Sequence, residues 1–485
     1  MIYAAIPVAL ALLCVFLGRR ILTIHLIFAY LTIEGFLKML SSYNRVVHVG
    51  MDIVVLSLAG WLVLEAVVKR RAWLPHLPYA RLITFYAMWV ALQLLNPYSP
   101  GLVPSIAAFK IHLTMIPLYF IAATTFEEPR DVLRFLTGIV VISMLPFIMA
   151  LVQYAMGPAS VLDMSPRYWQ NISYFHDWRP FGTSAVPGGS SVFAFIVAPL
   201  AMVLLIQPNA RPGLRWMAVI AIALAAGTFI VSGVRQTFLG CIMSLLTMSA
   251  LMAARGRGRG AVALAAMMMV GMAVFLGVQT LLRPMATEAV ARDTRSPDIW
   301  RERDVTERLG SVVDTDLYRT ARQNPIPGIV QRAIRYPFGA GLGRTGSAAG
   351  AFSAQYERDP RNAALQREVG WSDNFFADMI VETGLPGMIM MTIVLLGLML
   401  HAFRLARSAE NQTIAAFAGV MTGFYFAIFV MSWGSQPLMG NPITAYFWLL
   451  SGMLSACERM EARGVTDEDR RVSDDVWVPL PVGAR

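Results

Sequence analysis

The stretch WSDNFFADMIVETGLPGMIMMTIVLLGLMLHAF (371–403) decides the fold. After GLPG it enters an apolar run, and about 374–403 as a whole reads as one membrane-crossing span, for which about 20 residues suffice. Before that run, Asn374, Asp378 and Glu382 fall at i, i+4 and i+8, so on a helix they share one face. Lipid penalises such a face, so it looks into protein or a wet cavity. Asp373 stands at the mouth of the helix and reads either as its N-cap or as a functional carboxylate. Upstream, Arg332, Arg335 and Arg344 carry the opposite charge.

The rest of the chain has the same character. Hydrophobic residues make up 56% and charged residues 14% of 485, outside the range of soluble globular proteins. The expected fold class is all-α, a polytopic transmembrane helical bundle of about thirteen spans (about 12–14 by length and hydropathy) with a large, partly helical outer loop. The expected divisions are a bundle over 1–282 with an outer loop at 157–187, an Arg-rich loop over 283–373, further spans over 374–457, and a flexible tail over 458–485. The first apolar run precedes Arg19 and Arg20 instead of following them, which reads as a retained span and not a removable signal peptide. The net charge of +10 resides mostly in short-loop arginines, and no aromatic-basic nucleic-acid module appears. Cys14, Cys241 and Cys457 are too scattered for a disulfide framework or a metal site.

Arg19-Arg20, Lys69-Arg70-Arg71, Arg130 with Arg134, Arg211 with Arg215, Arg255-Arg257-Arg259 and Arg404 with Arg407 occupy alternate connections. The positive-inside rule makes their side cytoplasmic, with the N-terminus outside and the C-terminus inside. The long loop after 282 lies on the other side, yet it holds fourteen arginines between Arg283 and Arg367 and no lysine. Bidentate phosphate binding is a reason for such an excess. Within it, Trp300 to Gln323 has amphipathic helical spacing, and Pro327 to Tyr336 sets Arg332 and Arg335 on one face. Gly339, Gly341, Gly343 and Gly346 then permit close backbone approach to a ligand. In the earlier outer loop, Tyr168, Trp169, Tyr174, Phe175 and Trp178 accompany Arg167, His176, Asp177 and Arg179, a mixture that suits sugar rings and also describes an interfacial aromatic belt.

Four further polar residues stand out. Arg235 lies in a tight outer turn, where it is either snorkelling or binding substrate. Lys110 and Glu34 come at similar depths and are expected to pair. His112 reads as a buried, hydrogen-bonded histidine.

Three motifs, SGVRQTFLG (232–240), RAIRYPFGAGLG (332–343) and DNFFADMIVETGLPG (373–387), together resemble the O-antigen ligase and polysaccharide polymerase superfamily. Its members are bacterial inner-membrane proteins that transfer glycans from undecaprenyl diphosphate in the periplasm. The ligases place His before the helix Asn; here that position is Asp373, which tilts the resemblance toward a polymerase of exopolysaccharide, capsule or O-antigen repeat units. The resemblance implies metal-independent glycosyl transfer with no cofactor, and undecaprenyl-diphosphate-linked oligosaccharides as both donor and acceptor. It also allows for polysaccharide export proteins as partners. In its terms Arg235, Arg332 and Arg335 grip the diphosphate, and Asp373 is the general base with His176 second. Asn374 orients the acceptor, Asp378 and Glu382 hold arginines in place, and Arg344 and Arg179 join the binding surface. Transfer to another acceptor, a flippase for the same lipid-linked glycan, and an export scaffold are the rival readings. A flippase would show internal repeats and charges along a central path; the sequence has neither.

Overall fold

The computed structural model describes residues 2–42, 44–69, 77–165, 168, 178–207, 210–256, 325–346, 349, 360–369 and 374–464, with scattered positions between 269 and 288. Among the described residues all regular structure is helical. The first half comprises α1 (Ile2–Phe16), α2 (Arg20–Leu40), α3 (Arg45–Val68), α4 (Ala80–Leu92), α5 (Leu102–Leu113), α6 (Pro117–Thr125), α7 (Pro129–Met156) and the short α8 (Ala159–Leu162). Then come α9 (Ser190–Leu205), α10 (Pro212–Ser232), α11 (Arg235–Ala254), α12 (Pro325–Arg335), α13 (Pro360–Val369), α14 (Phe375–Ser408), α15 (Gln412–Met431) and α16 (Ile443–Ala462).

Among the described residues eight segments are long and apolar enough to cross a membrane. The other expected spans fall on shorter apolar helices (Ala5–Phe16, Ala80–Leu95, Ser190–Leu205) or on α16; the one at 261–282 lies largely outside the described residues. The run 102–123 is not one rod, because Thr114–Ile116 breaks it between α5 and α6. The amphipathic pattern at Trp300 to Gln323 and the tail beyond Gly464 lie outside the described residues. At the centre is α15, 83% of whose apolar window is buried. It packs against α11 and α14, while α9 lies on α10 and α16 on α6. A helix apolar all round belongs in such a position.

Contacts at the helix ends sort the connections into two groups. At one end Arg20 pairs with Glu65, and Arg20, Lys69, Glu127 and Arg459 line one cavity. Arg255 donates to the carbonyls of Ala406 (2.8 Å) and Ala409, and Thr413 meets Gln207 at 3.0 Å. The basic connections thus gather there, as their alternation along the sequence requires. At the other end the 178–189 loop ties α2 to α7, through Phe36 N–H to Thr183 O (2.8 Å) and reciprocal bonds between Gln153 and Gly182 (2.7 and 3.0 Å).

The α14 helix contains a break. Gly384 has φ 71° and ψ −178°, so the helix is two pieces joined at an angle. The second piece, 385–408, is about 36 Å long at ~1.5 Å per residue, enough to cross a ~30 Å hydrocarbon core alone. The first piece, Phe375 to Thr383, is buried on every side. Neighbours satisfy the backbone groups at the break: Ala340 N–H donates to Val381 O (2.6 Å), Trp89 Nε1 to Thr383 O (2.6 Å), and Leu385 N–H to Pro337 O (2.9 Å).

A Cβ at Gly384 would lie 2.5 Å from the backbone of Phe338. Gly384→Ala is therefore expected to cost more than the roughly 1–3 kcal/mol of this positive-φ extended backbone alone and to lower the melting temperature of detergent-purified protein. Gly60→Ala, which meets nothing within 4 Å, leaves that temperature unchanged or slightly raised. Equal melting curves for the two variants contradict the account of the break.

Candidate functional site

The site is built on the loop that follows α12. Pro337 ends that helix, and the chain then threads between α4, α5 and the break in α14. Its carbonyls are taken by side chains: Gln93 Nε2 donates to Phe338 O (3.0 Å), Asn96 Nδ2 to Gly339 O (3.1 Å) and Ser105 Oγ to Leu342 O (3.2 Å). Its amides turn to one carboxylate, with Glu382 Oε1 accepting from Gly343 N (3.1 Å) and Thr345 N (3.2 Å). The other oxygen, Oε2, lies 2.6 Å from His112 Nε2, whose Nδ1 is 3.1 Å from the Tyr86 hydroxyl. A carboxylate oxygen only accepts, so Nε2 carries the hydrogen of that bond.

The glycines therefore answer to protein, not to a ligand surface. Gly341 has φ 93° and its missing Cβ would lie 2.7 Å from Ser99 Cα; Gly343 has φ 87° and abuts Pro104 O. Arg344 is 1% exposed and donates to Tyr98 O (3.1 Å from Nε) and Asn362 Oδ1 (2.7 Å from Nη2). These contacts anchor the loop and α13. Arg335 is exposed and pairs with Glu368 of α13 (2.6 and 2.7 Å), which also accepts from the Tyr336 hydroxyl. Burial, and then the bond to Glu368, pushes the Tyr336 phenol up to about 12. Arg332 precedes Arg335 by one helical turn and is half-buried, on a helix that packs against α14.

A second group surrounds the mouth of α14, ten residues or about 15 Å of helix from the break. The N-cap is Asn374, not Asp373: its Oδ1 accepts from Ala377 N at 3.0 Å. Its Nδ2 donates to Trp433 O (3.0 Å), and Phe375 N–H reaches the carbonyls of Ser432 (3.0 Å) and Ser435 (3.1 Å). From the same 432–436 turn, Gln436 Nε2 donates to Asp378 Oδ2 and Gly434 O accepts from Gln236 Nε2 (2.7 Å). Arg235 is thus half-buried at the start of α11, next to the residue that ties α11 to this turn. Gly346 at the end of the glycine loop faces Gln436 Oε1, 3.6 Å from where its Cβ would be, so the two groups adjoin. On the other side, Gly188 packs against Val234, bringing the loop that carries Arg179 beside the Arg235 turn.

The stripe Asn374, Asp378, Glu382 is buried as its spacing requires (5%, 0% and 2% exposed). Among the described residues the two carboxylates hold Gln436, His112 and loop amides. Lys110 pairs with Asp52 of α3 (2.5 Å), whereas Glu34 pairs with Lys38 on its own helix (2.8 Å). His112 is buried and hydrogen-bonded, as read. Tyr168 and Trp178 are core residues and not open sugar platforms; Tyr168 stands edge-on to Phe181 with ring centres 4.6 Å apart. Asp373, His176, Trp169, Tyr174 and Phe175 lie outside the described residues. Gln93, Asn96 and Gln436 went unread, although QLLNP (93–97) and SQP (435–437) put amides beside prolines at the ends of apolar runs. Among the described residues no group of three or more His, Cys, Asp or Glu side chains could hold a metal ion. Compared with protein-family models and with curated proteins, the chain matches none.

The arrangement offers a cation at the mouth and acids sealed behind it, a polarity suited to an anionic ligand arriving from outside the bundle. Because Glu382 satisfies three donors, Glu382→Ala is expected to strand them at about 1–3 kcal/mol each, lowering the melting temperature and exposing 336–346 to protease. Arg335→Ala breaks only an exposed pair, worth about 0–1 kcal/mol. If the two variants melt together, the loop does not depend on this carboxylate.

Proposed function

We propose that this membrane protein is a glycosyltransferase that polymerises undecaprenyl-diphosphate-linked oligosaccharide repeat units at the outer face of a bacterial inner membrane. The observation that carries the reading is the meeting of the Arg235 turn and the mouth of α14 on the 432–436 turn, at the end of the bundle away from the basic connections. Two of the three motifs that resemble the polymerase superfamily share that turn, and the third, the glycine loop, ends against it. The positive-inside rule gives the basic end to the cytoplasm, which makes the mouth periplasmic, the N-terminus periplasmic and the C-terminus cytoplasmic.

In this reading Arg235 neutralises the diphosphate as the anomeric carbon–oxygen bond to it breaks, with Arg332 and Arg335 on the approach. Guanidinium groups suit that role because they stay protonated and grip phosphate bidentately. Asp373, one residue before the cap, accepts the proton of the attacking hydroxyl, and preorganised charge in a water-poor cleft supplies most of the rate. Glu382 and Arg344 act at one remove, by fixing the loop.

Purified protein given a synthetic lipid-linked repeat, with no nucleotide sugar and no other enzyme, is expected to yield longer lipid-linked glycans. Asp373→Ala and Arg235→Ala are expected to lose elongation by about 10²-fold or more at unchanged protein level. Wild-type chain lengths from both variants rule this site out. Translocation of the repeat across a vesicle without elongation identifies a flippase instead.

A further inference from the structure

The end of the bundle opposite the glycine loop holds a cavity of about 290 Å³ between α2, α3, α6 and α16. Its charged lining is Arg20, Lys69, Arg459 and Arg463 against Glu65 and Glu127. The Glu65 carboxylate is shared, accepting from Arg20 and, at 2.5 Å, from Lys69. Neither Arg459 nor Arg463 has a carboxylate within ion-pair distance among the described residues, and Arg459 Nε is buried with no hydrogen-bond partner among them. These two arginines are one turn apart on α16, where like charges repel. Opposed to the charges, Leu62, Phe120, Phe126 and Met460 form an apolar wall. Next to Leu62 and Lys69, Leu64, Val67 and Val68 of α3 are exposed by 55%, 67% and 72%.

We propose that this cavity binds the phosphate headgroup of an anionic phospholipid. Excess guanidinium charge with an orphaned donor asks for a phosphate oxygen. The apolar wall continuing to an exposed apolar helix face gives an acyl chain its path, which a soluble phosphate would leave unused. Basic pockets between membrane helices bind lipid headgroups in this way. The site is remote from the mouth of α14, and its occupancy does not depend on glycosyl transfer.

The test uses the full-length protein in nanodiscs holding equal phosphatidylglycerol and phosphatidylcholine, with retained lipid counted by native mass spectrometry. Wild type is expected to keep phosphatidylglycerol about fivefold or more over phosphatidylcholine, taking roughly that factor for each cation near the headgroup. Arg459→Gln with Arg463→Gln is expected to bring the ratio near one, and Arg459→Lys with Arg463→Lys to preserve most of it. Lys69→Gln, on a side chain 51% exposed and so harmless to folding, lowers the ratio in the same direction. Equal retention of the two lipids by wild type, or an unchanged ratio in both glutamine variants, overturns the proposal. So does inorganic phosphate at millimolar concentration displacing the lipid while giving the same thermal stabilisation, since the cavity then serves a soluble anion.

Discussion

One carboxylate, Glu382, holds the glycine-loop end of this molecule together. It lies just before the break in α14, and its oxygens receive the amides of Gly343 and Thr345 and the imidazole of His112. Three parts of the chain far apart in sequence therefore share a single acceptor. A buried acid is costly when unpaired, and that cost gives the knot its specificity: only one arrangement of α5, α14 and the loop satisfies it. Arg344 repeats the logic with the sign reversed, a buried cation surrounded by carbonyl and amide oxygens.

Around this knot, charge is used in two ways. Arg344, Glu382 and Asp378 are consumed by the fold and leave little for a substrate. Arg235 and Arg332 are half-buried on elements that border the mouth or the break, and Arg335 is exposed on its surface. The residues that anchor the loop are thus fully buried and the three arginines are not, a distinction that spacing along the chain does not give.

The apolar runs, the alternating basic connections and the inward face of the α14 stripe were all legible in the sequence, because lipid imposes a length, a polarity and a penalty that leave direct marks on composition. What occupies that inward face was not. Periodicity says which way Glu382 points and nothing about His112, 270 positions earlier. Counting depth along helices placed Lys110 near Glu34, but it resolves no better than a turn, and Asp52 of α3 was the acid within reach. The break at Gly384 was written as a glycine two residues before Pro386, yet an apolar run that continues past it reads as one helix until its length is set against the membrane. The glycines at 339–346 signalled close approach, and in the structure protein backbone and side chains of Ser99, Pro104 and Glu382 come close to them.

The seam at Gly384 also bears on how the chain is made. Trp89, Gln93 and Asn96, which close that seam, belong to the fourth apolar run and its end, while their acceptors at 338–339 and 383 are synthesised 243 to 294 positions later. Until then Asn96 has local partners in Gln93 and Tyr98, while the donors that later reach 338, 339 and 383 lack those carbonyls. The seam at Gly384 therefore needs acceptors that the chain supplies only once residue 383 has been made.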